Sequence, residues 1–268
     1  AAAIFDDILQ IQATEQERES YAFYVDGTYE LTESTRLSLG YRHTRDEKEF
    51  HRLDIGGAGG NPLSNFLFDL SQVTGPFDNP LPESAFALNA RRTAEFSANT
   101  YRIVVDHDFR EDIMVYASFA TGFVAGGFAE TCGIYGGCKP FNSEENDSFE
   151  IGLKADLLDG KMRLNLAIYD VTYESLQRDA VLVVKDASGN DFQETVSVNE
   201  GESSNSGIEI EMIYLPTDNL RVDFNLGTMD HEYDEYAPSQ DMATLGLSGP
   251  PQRVDLTSMD VPFSPELT

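Results

Sequence analysis

Four histidines are the side chains of this chain best suited to acid–base or metal chemistry at neutral pH. They stand far apart, at positions 43, 51, 107 and 231. His43 and His107 fall on the apolar faces of predicted strands near the strand ends, where an interfacial role is expected. Asp108 follows His107, but neighbouring strand residues point to opposite faces, so the two cannot act as a pair. We therefore predict no catalytic site and no cofactor, and expect that the chain is not an enzyme.

The two cysteines, Cys132 and Cys138, lie close together in a glycine-rich stretch. In an oxidising compartment such a pair predicts a local disulfide. A cytosolic thiol pair or half of a zinc site is the alternative, although no second pair and no group of histidines stands nearby to complete four ligands. We expect the disulfide, and no metal site.

Two further segments have some features of ligand-binding loops. Residues 186–191, with the sequence DASGND, place oxygen-bearing side chains at alternate positions, as calcium loops do. The glycine that a calcium loop requires is replaced by Asp191, and no flanking helices are predicted. Gly160-Lys161 lacks the upstream glycine of a phosphate-binding loop and is followed by Met162. We interpret both segments as turns.

The charge balance restricts the possible partners. The 268 residues include 47 Asp and Glu but only 18 Lys and Arg, which gives a formal charge of −29. Nucleic acid is excluded as a partner because phosphate binding needs clustered basic residues. Large solvated loops, or a lumen that receives cations, fit this charge. No apolar run predicts a transmembrane helix. The first residues do not form a secretory signal, so we expect a removed signal or a piece of a longer chain.

Strands must position the polar side chains, because apolar and polar residues alternate with a period of two along most of the chain. The alternating runs occur in pairs joined by short turns. The predicted strands are 21–31 with 36–42, 101–109 with 113–123, 149–158 with 162–169, 208–214 with 220–226, and a ninth strand at 253–263. In the turn between the third pair, Asp159-Gly160 is a strong hairpin signal because both central positions favour positive φ.

The lengths of the connections predict where the strands lie. The short turns alternate with four long connections, near residues 46–96, 124–147, 176–204 and 232–251. In outer-membrane barrels the short turns face the periplasm and the long loops face outside. We therefore predict an all-β, antiparallel transmembrane β-barrel surrounded by outer-membrane lipid. Residues 1–19 would end a preceding outer loop. A soluble β-sandwich also has many short strands, but its connections have no reason to alternate in length.

The two faces of the strands are expected to have different surroundings, lipid on one side and a lumen on the other. The apolar faces lack charged residues near mid-strand, where a lipid-facing Arg or Lys costs about 2–4 kcal/mol. The polar faces would line a lumen with Asp26, Glu30, Arg36, Arg42, Arg102, Asp106, Glu209, Glu211, Arg221 and Asp223. Loop residues are common ligand contacts. We predict such contacts for Tyr135 and Phe141.

Several segments resemble TonB-dependent outer-membrane receptors, in which a Gly-Phe-x-x-Gly-Gly-Phe run is followed by Pro-Phe-x-x-Glu. The matching segments are 121–128 (TGFVAGGF), 140–144 (PFNSE), 149–154 (FEIGLK), 41–48 (YRHTRDEK), 206–211 (SGIEIE) and 251–253 (PQR). The motif residues carried over from the resemblance are Gly122, Phe123, Gly126, Gly127, Phe128, Glu150, Gly152, Gly207 and Glu209. Val124, where the family often has a basic residue, and the absence of Trp depart from the pattern.

The resemblance implies a barrel of about 22 strands around a plug. With about nine strands, the chain is expected to be an internal part of that barrel domain over residues 1–268, without the plug, the TonB box and the C-terminal strands. It implies a monomeric receptor in the outer membrane of a Gram-negative bacterium, which takes up a scarce nutrient, foremost a ferric siderophore, and contacts the TonB complex through the missing N-terminal region. The alternatives are a passive porin-like channel and a soluble all-β binding module.

Overall fold

The computed structural model describes residues 11–55, 86–129, 139–185, 191–235, 257–259, 261 and 264–267. Ten strands and no helix are found in this part of the chain. The strands are β1 (Ile11–Glu30), β2 (Thr35–Ile55), β3 (Phe86–Arg110), β4 (Ile113–Val124), β5 (Glu144–Leu157), β6 (Met162–Glu174), β7 (Gln177–Lys185), β8 (Asp191–Asn199), β9 (Glu202–Thr217) and β10 (Leu220–Glu235).

Eight of these strands form one antiparallel sheet, which we call the wall. Its order is β1-β2-β3-β4-β5-β6-β9-β10, and β7 pairs only with β8 in a separate hairpin. Within the described residues β1 and β10 are the edges of the wall. The all-β, antiparallel prediction is confirmed, and eight of the nine predicted strands are found in the wall.

One face of the wall is apolar and exposed. A row of directly paired residues crosses all eight strands: Tyr29, Leu37, Val105, Ala117, Ile151, Ile168, Ile208 and Thr228. Tyr29 is 70%, Ile151 50% and Ile168 52% exposed. A soluble sandwich buries such a face against a second sheet. Among the described residues no second sheet covers it, so this face is suited to lipid.

The opposite face of the wall is polar. The neighbouring row consists of Glu30, Arg36, Asp106, Tyr116, Gly152, Ala167, Glu209 and Gly227. Because side chains alternate between the faces of a strand, this row points away from the apolar one. We call this side the inner face. The residues predicted to line a lumen all lie on it.

The hairpin turn between β5 and β6 has the predicted backbone geometry. Asp159 and Gly160 have φ values of 56° and 80°. Leu158 shares the left-handed conformation with a φ of 57°. Glycine suits such a position at no steric cost, and Asp tolerates it better than most residues. The Asp-Gly signal therefore predicted this turn for the correct reason.

Several strands are longer than predicted. β1 begins at Ile11, β2 ends at Ile55, β3 begins at Phe86 and β10 ends at Glu235. These extensions lie beyond the apolar row, where neither face has to be apolar. Backbone pairing continues there without the alternation from which strands are read in a sequence. The prediction that residues 11–19, 46–55 and 86–96 belong to loops was therefore wrong.

Two further predictions differ from the structure. The connection at 176–204 contains the β7–β8 hairpin. The predicted ninth strand, 253–263, is not a regular strand in its described part, because residues 257–259 form a turn. After it, Leu267 makes an isolated bridge to Thr228. Val261, in the same region, is buried against Leu176 and Tyr233.

Candidate functional site at the long-loop end

The Gly-Gly-Phe part of the receptor-like motif lies at the end of the wall where the long connections meet. After Val124 the chain leaves β4 and contacts the inner face of β2 and β3. The ring of Phe128 stacks on the ring of Phe50, with the centroids 5.2 Å apart. Phe50 is 0% and Phe128 5% exposed. These two residues form one of the two buried apolar clusters among the described residues.

Gly126 is glycine because two neighbours leave no room for a side chain. A Cβ atom there would lie 2.2 Å from the carbonyl oxygen of Phe141 and 2.4 Å from the ring of Phe96. Gly127 next to it exchanges two backbone hydrogen bonds with Phe141, of 3.1 and 2.9 Å. The backbone at Gly126 and Gly127 is therefore packed closely between Phe96 of β3 and Phe141. Phe141, predicted as a ligand contact, is half-buried and serves as the backbone partner of Gly127.

Lys48 joins this segment to β2. Its ammonium group donates a hydrogen bond to the carbonyl oxygen of Gly126 and lies 5.7 Å from the centre of the Phe96 ring. Lys48 lies beyond the apolar row. The pKa of its ammonium group is lowered, mainly by burial and to a smaller extent by the positive charge of Arg18. Sequence reasoning did not single out Lys48, Phe50 or Phe96 as site residues. The sequence signal that could have identified this cluster is the position of Phe50 and Phe96 on the otherwise polar face of their strands.

A buried carboxylate on β2 lies beside this cluster. The side chain of Asp46 is 2% exposed and its Oδ1 lies 3.1 Å from Nη2 of Arg18. Burial alone would raise the pKa of Asp46, but hydrogen bonds from Ser20 and Arg18 outweigh it and hold the pKa below its ordinary value. Asp46 is therefore ionised near neutral pH and links β1 to β2 beyond the apolar row.

We expect acid to weaken this link. Since the pKa of Asp46 is lower in the folded state, its contribution is complete above the ordinary carboxyl pKa and is lost as the pH falls through the folded-state value. Asp46→Asn should cost about 1–3 kcal/mol of local stability at pH 7, and the cost should shrink at pH 3. Hydrogen exchange of residues 44–52 at both pH values measures this. An equal cost at both values would contradict the assignment.

Several charged residues of the inner face form ion pairs along the wall. Arg36 bridges Asp106 and Asp108, the latter at 2.8 Å. Arg221 lies 2.7 Å from Asp223. Arg102 lies 3.6 Å from Asp26. The side-chain amide of Asn165, which is neutral, donates a 3.1 Å hydrogen bond to Glu211. Six of the ten predicted lumen residues therefore form ion pairs with one another: Asp26 with Arg102, Arg36 with Asp106, and Arg221 with Asp223.

The histidines on the apolar face have local partners. His107 Nδ1 lies 2.9 Å from the Thr35 hydroxyl, and His43 Nδ1 lies 2.9 Å from Asn99 Oδ1. Asp108 faces Arg36 on the other side of β3, as the alternation predicted. No group of three or more potential metal ligands occurs among the described residues. The described residues contain no helix that is long and apolar enough to span a bilayer.

Two motif glycines make room for tyrosines within the wall. Gly152 is paired directly with Tyr116, and a Cβ atom there would lie 2.3 Å from the tyrosine ring. Gly207 is paired directly with Tyr169, whose hydroxyl oxygen would lie 2.6 Å from such a Cβ. The Tyr116 hydroxyl also donates a 2.6 Å hydrogen bond to Glu150. A ring lying over a cross-strand glycine compensates for its missing side chain.

We expect Gly152→Ala to destabilise the wall by about 1–3 kcal/mol, because the added methyl group collides with the Tyr116 ring. Combining it with Tyr116→Ala should recover part of that loss, since the ring causes the collision. The stability of both variants is measured as the temperature at which the folded, fast-migrating form disappears on unboiled gels. Strictly additive effects in the double variant would contradict the collision.

Some predicted residues lie outside the described part of the chain. Cys132, Cys138 and Tyr135 are among them, as are residues 186–190 of the calcium-like segment. The disulfide and the ligand contact at Tyr135 therefore stay predictions. Gly122 lies inside the described part, close to Asn146, whose Oδ1 would be 2.3 Å from a Cβ atom.

The family model described as "TonB dependent receptor-like, beta-barrel" matches residues 4–267. The chain belongs to this family. Members of the family are transport receptors located in the Gram-negative outer membrane. The resemblance seen in the sequence and the transmembrane-barrel fold class are thereby confirmed.

Individual relatives agree with this assignment. The metal-pseudopaline receptor CntO of Pseudomonas aeruginosa is 29% identical over 125 residues, which are 47% of this chain and 16% of that protein. The ferric yersiniabactin uptake receptor FyuA from Yersinia pestis superposes with a TM-score of 0.63 at 16% identity, covering 84% of this chain and 28% of that one. The siderophore receptor PiuA from Acinetobacter baumannii superposes with a TM-score of 0.59 at 18% identity, covering 95% and 30%. The chain thus spans less than a third of these relatives.

Proposed function

We propose that this chain forms part of the barrel of an outer-membrane receptor that takes up a ferric siderophore with energy from the TonB complex. The observation that carries the proposal is the wall itself. It has an exposed apolar face for lipid and an opposite face of paired charges for a lumen, and it belongs to the family of TonB-dependent receptors. The receptor would act as a monomer.

The choice of ligand class rests on the relatives. Several are named as receptors for siderophores or for a metal bound to a small chelator. A further structural neighbour, with a TM-score of 0.54 at 13% identity, is named a copper transporter, OprC. We therefore place ferric siderophores first and chelates of other metals second.

Growth and uptake test the ligand. A strain lacking the complete gene should grow poorly on at least one ferric hydroxamate or ferric catecholate as the sole iron source, and should lose uptake of that complex labelled with ⁵⁵Fe. Chelates of zinc and copper form the second set of probes. Normal growth and uptake on every ferric complex would overturn the iron assignment, and a defect on copper or zinc alone would favour the second ligand class.

Energy dependence separates active uptake from a passive channel. If the protein is a TonB-dependent receptor, deleting tonB or adding a protonophore should abolish ⁵⁵Fe uptake while surface binding of the complex remains. A porin-like channel would continue to admit the complex under both treatments. Recovery of the protein in the soluble fraction would favour a soluble binding module and contradict the lipid-facing role of the apolar row.

A further inference from the structure

The β7–β8 hairpin leaves the wall at a sharp, well-defined bend. Ser175 before β7 has a φ of 56° and Gly201 after β8 a φ of 95°, both in the left-handed region. Between them, the Leu176 amide donates to Gly201 and the Glu200 amide donates to Leu176, at 3.2 and 2.9 Å. Leu176 is buried beside Tyr233. The base of the hairpin is therefore held in a fixed direction relative to β6 and β9.

The first residue of the hairpin reaches across to the motif segment. The side-chain amide nitrogen of Gln177 lies 3.2 Å from the carbonyl oxygen of Val124, 3.3 Å from that of Ala125 and 3.0 Å from that of Asn142. Its backbone amide donates to Glu144 at 2.8 Å. One side chain thus contacts carbonyl groups at both ends of the connection between β4 and β5.

The last residue of the hairpin does the same from the opposite strand. Asn199 is paired directly with Gln177. Its side-chain nitrogen lies 2.9 Å from the carbonyl oxygen of Asn142 and 3.0 Å from that of Ser175. Its side-chain oxygen accepts a hydrogen bond from the Asn142 amide. Two neutral side-chain amides at the base of one hairpin therefore form hydrogen bonds with the same neighbouring segment. We call this pair the amide clamp.

The contacts continue from the clamp to β2. Ala125 is followed by Gly126, which accepts the hydrogen bond from Lys48. Phe128 stacks on Phe50. Asn142 is preceded by Phe141, the backbone partner of Gly127. A continuous chain of hydrogen bonds and ring contacts thus links the described parts of two long connections, 124–147 and 176–204, to the extended ends of β2 and β3.

We propose that Gln177 and Asn199 are positioning residues that couple the β7–β8 hairpin to the Gly-Gly-Phe segment, so that the connections 124–147 and 176–204 form one mechanically linked rim that rests on the extended ends of β2 and β3. Under the proposed function, on which only its outward location rests, this rim forms part of the outer mouth of the receptor. A linked rim presents a preorganised entrance, because its loops need not be ordered one by one when a ligand arrives. Movement of the hairpin would be transmitted to the segment lying on β2 and β3.

Hydrogen exchange on the protein made from its complete gene, in lipid nanodiscs, tests the coupling. Gln177→Met keeps the length of the side chain and removes its amide. We expect exchange to rise about tenfold in β7 and β8. We expect the same rise at the Gly127 and Phe141 amides, each of which donates to the carbonyl oxygen of the other residue rather than to the clamp. Asn199→Asp, which removes the donors but keeps an acceptor, should act in the same direction.

Two comparisons distinguish coupling from general loosening. Ser197→Ala removes a 2.6 Å hydrogen bond to Asp179 inside the hairpin and leaves the clamp intact. It should leave the Gly127 and Phe141 amides unchanged. Gln177→Glu keeps the shape of the side chain but sets a carboxylate against three carbonyl oxygens, so it should exceed the effect of Gln177→Met. A side chain that only fills space would give equal results for the two variants.

Two exchange results would contradict the proposed coupling. Faster exchange in the hairpin with unchanged Gly127 and Phe141 amides would show that the hairpin moves independently. An equal rise at these amides in Ser197→Ala would show that any change in the hairpin loosens the rim. Exchange is read without a ligand, so failure of the coupling is distinguishable from failure of uptake, which the growth and ⁵⁵Fe experiments report.

Discussion

Gly207→Ala is expected to lower the free energy of unfolding of the wall by about 3 kcal/mol, at the upper end for an overpacked interior. The added Cβ atom would lie 2.1 Å from the carbonyl oxygen of Thr228 and 2.6 Å from the Tyr169 hydroxyl oxygen. The first of these atoms is backbone, so β9 and β10 would have to separate locally. The measurements are the amount of folded protein in the outer membrane and the temperature at which its fast-migrating form is lost on unboiled gels.

A matched control is available on β1. At Gly27 a Cβ atom would meet no atom within 4 Å. Gly27→Ala should therefore leave the unfolding temperature unchanged or raise it slightly, because alanine restricts the unfolded chain more than glycine does. If the two alanine variants unfold at the same temperature, the close approach at Gly207 does not limit the stability of the wall.

Gly126→Ala is expected to displace the Gly-Gly-Phe segment from β2 and β3 while the wall remains folded. The collisions are with the backbone carbonyl of Phe141 and the ring of Phe96, which cannot both move away. Release of the segment would also expose Phe128 and break the hydrogen bond from Lys48. We expect about tenfold faster exchange over residues 124–128 and an uptake rate reduced to a similar degree, with normal migration on unboiled gels.

The neighbouring glycine provides the control for this variant. A Cβ atom at Gly127 would lie 3.1 Å from the tip of the Phe141 ring and 3.2 Å from the Lys48 ammonium nitrogen. Both atoms end side chains that can turn aside, so Gly127→Ala should have a clearly smaller effect. An effect of Gly127→Ala equal to that of Gly126→Ala would show that the motif needs flexible backbone rather than close approach.

The wall was predictable because its two faces have different surroundings. Along β9, Ile208, Ile210 and Met212 alternate with Glu209 and Glu211. Lipid on one side and polar surroundings on the other impose this alternation, and a shift of one residue would turn every side chain to the wrong face. Strand pairing followed from the short turns, of which Asp159-Gly160 is the clearest.

The long-loop end was less predictable because those constraints stop there. Residues 46–55 of β2 remain paired with β1 and β3, yet Asp46, Lys48 and Phe50 follow one another on its inner face. Such a series has neither a hydrophobic period nor a turn signal. The amide clamp is harder still to predict, because Gln177 and Asn199 meet Asn142 across separations of 35 and 57 residues.

By itself, the amino-acid sequence determined the class of the protein and the direction of its faces, because lipid contact and strand pairing leave a periodic record in residue types. The motif glycines were predicted from the resemblance to TonB-dependent receptors. The tertiary structure decided why those glycines matter: Gly126 admits a carbonyl and a ring, and Gly152 and Gly207 admit tyrosines. It also decided that two long connections meet in one rim on the ends of β2 and β3. These features depend on distances between residues far apart in the chain, and local residue patterns contain no measure of such distances.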